Sequence, residues 1–93
     1  MSYEDIIEHI IQKEKDVIGP VAVKKADSVD GLEVDDDGNI ENLDGDGKEV
    51  LSDLVETYKT IVGKSIASVL REEKDSEEDL PELPENIKQL IER

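Results

Sequence analysis

Residues that could do chemistry are mostly carboxylates. The 93-residue chain carries 26 Asp and Glu against 11 Lys and Arg, a formal net charge of −15, with one histidine and no cysteine. Without cysteine there are no thiol nucleophiles, thiolate metal sites, iron–sulfur clusters or disulfides. His9 lies at the edge of an apolar stripe, with Asp5 four residues before it and Lys13 four after. That setting is one of a surface residue rather than a base. Ser28, Ser52, Ser65, Ser68, Thr57 and Thr60 have no nucleophile motif around them. Gly63-Lys64-Ser65 matches the end of a phosphate loop, but Lys59 stands where the leading glycine belongs and no strand precedes it. Paired carboxylates do acid–base work only in a pocket that shifts their pKa. A short chain with an aliphatic core has little room for one. The expectation is a non-enzyme with no catalytic, cofactor-binding or dedicated metal residues.

The acidic middle is where a ligand site can be argued. Glu33, Asp35, Asp37 and Gly38, with Ile40 and Asp44, partly resemble the calcium loop of the EF-hand family. Asn42, Asp44, Asp46 and Gly47, closing on Asp53, resemble it in a second register. Such a loop gives a hard cation six to eight oxygens around a glycine turn. The first register has Glu at its start, Asp at its end and no entering helix, and the second has Glu49 where a small aliphatic belongs. A divalent-cation module using residues 33–53 is therefore the alternative function, and a nucleic-acid mimic the third.

The charge is uneven. Residues 20–46 sum to −7 and residues 72–93 to −6, whereas residues 47–71 sum to +1. An acidic coat repels phosphate backbones, so nucleic-acid binding and attachment to anionic membranes are disfavoured. No apolar run approaches the ~20 residues of a membrane span. The acidic start, Met1 to Asp5, does not suit a signal peptide. A soluble cytoplasmic protein is the expectation.

Ile, Val and Leu supply 27 of the 93 residues, enough apolar content for a highly charged chain to fold. The fold class expected is mainly α with a minor β part. Ser2, with Asp5 in capping-box spacing, opens a helix whose stripe is Ile6, Ile7, Ile10, Ile11, Val17 and Ile18, with a gap at Glu14. Gly19-Pro20 ends it. Residues 21–29 read as a short helix, in competition with a short strand at 21–23, and Gly31 suits a left-handed stop. Two alternating runs around Asp35 to Asn39 read as a β-hairpin at about 32–43. Alone it is too small to be stable, so it must lie on something. Asp46 and Glu49 form a second capping box before a long helix at 47–71, with a kink or a close helix contact expected at Gly63.

These elements divide the chain into a helical domain at 1–71, an acidic linker at 72–79 and a terminal segment at 80–93. The helix at 85–93 either docks on a partner or folds back on its own core. An offset of 44 places every aliphatic residue of the first helix on an aliphatic residue of the long one and Gly19 on Gly63. That suggests a duplicated helix–glycine–helix unit, although amphipathic helices align readily when the offset is free. The function expected is a small acidic protein-interaction or regulatory module, with a protein partner or a second copy forming a homodimer.

Overall fold

A computed structural model describes residues 2–75 and 82–91 of the chain. In order these are α1 (Tyr3–Ile18), α2 (Pro20–Asp27), β1 (Leu32–Val34), β2 (Ile40–Leu43), α3 (Gly47–Asp75) and α4 (Glu85–Ile91). The class is mainly helical with one two-stranded antiparallel hairpin, as the patterning requires.

α1 begins where Ser2 Oγ accepts from the Asp5 backbone and Asp5 Oδ2 accepts from the Ser2 backbone, both at 3.2 Å. This capping box satisfies two of the donors that every helix start leaves unpaired. Asp46 caps α3 differently, accepting from the Lys48 backbone at 3.1 Å, one residue short of box spacing. α1 stops at Gly19, whose φ of +75° suits glycine, and Pro20 opens α2 at its first position.

α1 and α3 are the main packing pair and run in the same direction. Tyr3 lies against Gly47 at their starts, and Glu14 bonds Ser65 further along. A side chain at Gly47 would collide with Tyr3, its Cβ falling 2.9 Å from the tyrosine's own. Parallel neighbours need a return connection, and residues 20–46 provide it as α2 and the hairpin.

The hairpin pairs Leu32 with Leu43 and Val34 with Ile40, and a bulge between them leaves Glu41 unmatched. Leu32 and Val34 enter the core while Glu33 stays exposed. The hairpin rests on α2 and α1: Asp27 Oδ1 of α2 accepts from the Val34 backbone, and Gln12 Nε2 and Lys15 Nζ of α1 both donate to the Asp37 carbonyl, at 2.8 and 3.2 Å.

Straight, the 29 residues of α3 would span ~43 Å, which exceeds the 31 Å longest dimension of the molecule. The helix instead bends at Val62, where φ −136° and ψ 50° leave the helical region. The expected kink is thus present, one residue before Gly63. The expected close contact is not: a Cβ at Gly63 or at Gly19 would meet nothing within 4 Å. α3 also continues to Asp75, four residues beyond the expected end. Glu72, Glu73 and Lys74 are good helix formers and extend it to Asp75 rather than starting a linker. The rest of the expected linker, 76–79, lies outside the described residues.

The offset of 44 reappears in space. Ile6, Ile7, Ile10, Ile11 and Glu14 are buried, and so are their counterparts Val50, Leu51, Leu54, Val55 and Tyr58. Ala22 and Ala26 likewise match buried Ile66 and Leu70. The break after Ile18 falls opposite the bend at Val62. The two helix–break–helix units therefore share burial phase as well as sequence phase.

Candidate functional site

The residues singled out in the acidic middle are largely committed to the fold. Asp35 Oδ1 accepts from the backbones of Asp37 and Asn39, both at 2.9 Å, closing the hairpin turn. The Asn39 backbone donor, with help from that of Asp37, holds the Asp35 carboxyl below its ordinary value. The Asp46 carboxylate is spent on the α3 cap. Asp53 lies exposed on α3. Among the described residues no three carboxylates or histidines converge as a metal cluster would require. An open depression of about 300 Å³ lies beside the hairpin, with Asp27, Asp30, Glu33, Asn42 and Asp44 among the residues lining it. One of those carboxylates is also structural, since Asp27 Oδ1 accepts from the Val34 backbone at 3.2 Å.

His9 is exposed on α1, where its charge adds to the lowering of the Asp5 carboxyl that begins with the Ser2 backbone donor. Most of the hydroxyls that lacked a motif are bonded within the fold. Ser28 donates to the Lys25 carbonyl, Thr57 to Asp53, Thr60 to Thr57, and Ser52 to Asn86 Oδ1.

The terminal helix α4 folds back. Tyr3 donates its hydroxyl to the Glu82 carbonyl, Asn86 Nδ2 donates to the Ser52 carbonyl and to Glu56 Oε1, and Ile87 is fully buried. Within residues 82–91 the segment packs on α3. Leu80, Pro81, Glu92 and Arg93 lie outside the described residues.

Two features escaped the sequence reading. One is the Glu14–Ser65 pair: Glu14 is 0% exposed, its Oε1 accepts from Ser65 Oγ at 2.8 Å, and its Oε2 is buried without a partner. Burial pushes this carboxyl up from its ordinary value, and the Ser65 bond opposes only part of that shift. The offset signalled it, because Glu14 falls on Tyr58, a stripe position of α3. The second is apolar and exposed. Val17, Val21 and Ile61 keep 58%, 46% and 42% of their surface. Val17 and Val21 flank the Gly19 break, Ile61 adjoins the Val62 bend, and Val17 and Ile61 are counterparts under the offset. The Tyr58 hydroxyl donates to the Ala22 carbonyl, which holds the first turn of α2 against α3 one turn before Ile61. Each of the three side chains thus stands next to a helix break.

Among the described residues no helix is long and apolar enough to cross a membrane. No family model, curated protein or solved structure matches this chain.

Proposed function

We propose that the chain is a small, acidic, non-enzymatic protein-interaction module that associates through the apolar patch at its helix breaks, with a second copy of itself as partner. The observation that carries this reading is the exposure of Val17, Val21 and Ile61, each next to a helix break, while the other large aliphatics of described burial are buried or packed on the core. Isolated exposed aliphatics are ordinary, but a group of them has something to gain from cover. Electrostatics favour self-association here rather than elsewhere. The stretches that carry the patch, 17–21 and 60–63, hold no charged residue, whereas two copies meeting through the turn at 35–37 would set three carboxylates against three. The acidic surface also disfavours nucleic acid as a partner, and the lack of cysteine suits the reducing cytoplasm.

Sedimentation equilibrium of the wild type and of a Val17→Asp/Ile61→Asp variant tests the reading. The wild type is expected to form a dimer that persists in high salt, and the variant to remain a monomer with unchanged helicity. A wild type that stays monomeric at millimolar concentration would overturn it.

A further inference from the structure

The buried Glu14 carboxyl plays no part in that patch, and the fold does not need an acid there. Its counterpart Tyr58 fills the same step of the second unit, and its one polar atom is satisfied by the Ala22 carbonyl at 2.7 Å. Glu14 fills the step in the first unit with one oxygen bonded and the other sealed without a partner. Ser65, which supplies the single bond, stands three residues past the bend at Val62. The second limb of α3 is therefore joined to the first through a non-helical residue and is tied to α1 by this bond.

We propose that Glu14 is a proton-operated latch: its neutral carboxyl holds the second limb of α3 closed on α1, and its ionisation loosens that limb about the Val62 bend. The proton of the neutral form sits on Oε2, because Oε1 accepts from Ser65. Loss of that proton leaves a buried charge with one hydrogen bond, a state that solvent relieves only if the limb opens.

Among the described residues no charged group bonds the Glu14 carboxyl, whose Oε2 has no partner. From α3, Tyr58 faces Glu14 with its hydroxyl already committed, and burial, then the Glu14 charge, push that hydroxyl's pKa up, so it stays neutral. Lys59 and Lys64 of α3 are exposed. From α2 the buried residues are Ala22, Val23 and Ala26, with Lys24 and Lys25 exposed. On α1 itself Lys13 is exposed and Lys15 donates to the Asp37 carbonyl of the hairpin.

The linkage has a definite sign. A carboxyl whose folded-state pKa lies above its unfolded value of 4.5 stabilises the closed state fully below that value. The stabilisation is lost as pH rises from there through the raised value. Opening exposes Ile66, Val69 and Leu70, which the closed limb buries.

The test is NMR on the full chain. The Glu14 side-chain carbon is titrated, and amide exchange of Ile66, Val69 and Leu70 is followed over the same pH range, corrected for intrinsic exchange, in wild type and Glu14→Gln. Glu14 is expected to titrate above the ordinary carboxylate range. Protection of the three amides should fall across that interval by about tenfold for each pH unit of the elevation, while Glu14→Gln stays flat. Ordinary titration of Glu14, or the same pH dependence in both proteins, would overturn the latch. Ser65→Ala keeps the carboxyl and removes its one bond, so the Glu14 midpoint should rise further. An unchanged midpoint there would also overturn the proposal.

Discussion

Tyr58, on the first limb of α3, donates a buried 2.7 Å hydrogen bond to the carbonyl of Ala22 in the first turn of α2. This bond crosses between the two helix–break–helix units. Glu14 and Ser65 make the reciprocal crossing, from the first helix of one unit to the second helix of the other. Each unit is thereby fastened to its neighbour just where its own helix is interrupted. Tyr58→Phe removes the donor and keeps the ring, so it should cost about 1 kcal/mol of stability. Urea unfolding should show a lower midpoint with an unchanged slope.

Gly31 and Gly63 should respond oppositely to alanine. Gly31 has φ +85°, and a Cβ there would fall 2.3 Å from the carbonyl oxygen of Asp44, a backbone atom that cannot swing aside. Gly31→Ala is expected to cost at least about 2 kcal/mol through strain and displacement of the Asp44 contact. A Cβ at Gly63 meets nothing within 4 Å, and Gly63→Ala should be neutral or stabilise by up to about 1 kcal/mol. Thermal unfolding of the two variants checks the contrast.

The first capping box has a pH signature. Two hydrogen bonds from Ser2, the backbone one first, hold the Asp5 carboxyl below its ordinary 3.8. The box therefore adds stability above that value, and the addition is lost as pH falls through the lowered one. Ser2→Ala should cost about 1 kcal/mol at neutral pH as an N-cap replacement. It should also move the Asp5 midpoint part of the way up, because the backbone donor remains. Side-chain NMR of Asp5 reads both effects of the substitution on its titration.

α4 spans seven residues and is too short to persist as an isolated helix, so its contacts with α3 hold it in place. Ile87→Ala empties a fully buried site and should cost about 2–4 kcal/mol locally. Amide exchange should then rise throughout 85–91 while α1 and the first limb of α3 keep their protection.

The helical frame was legible because branched aliphatics recur at helical spacing. The stripes on α1 and α3 predicted their buried faces almost residue by residue. The same rule misread Val17 and Ile61, which share the stripe's phase but lie where each helix is about to break. It also read Glu14 as a gap, since hydropathy alone assigns a carboxylate to solvent. Only its tertiary partner Ser65 and its match to Tyr58 reveal the burial. The long helix outran its expected end because propensity, not apolar pattern, carries it through Glu72, Glu73 and Lys74. The fold-back of α4 combines burial of Ile87 with polar contacts of Asn86 to Ser52 and Glu56, partners that no local pattern announces. In the acidic middle, composition suggested ligands, but turn and cap chemistry had the first claim on Asp35 and Asp46.

Amide chemical shifts followed from micromolar to millimolar protein test the interaction surface most directly. The account predicts saturable shifts concentrated at Val17 to Val21 and Thr60 to Val62, with residues 35–46 unmoved. Shifts that are absent, or that gather in the acidic hairpin turn instead, would contradict it.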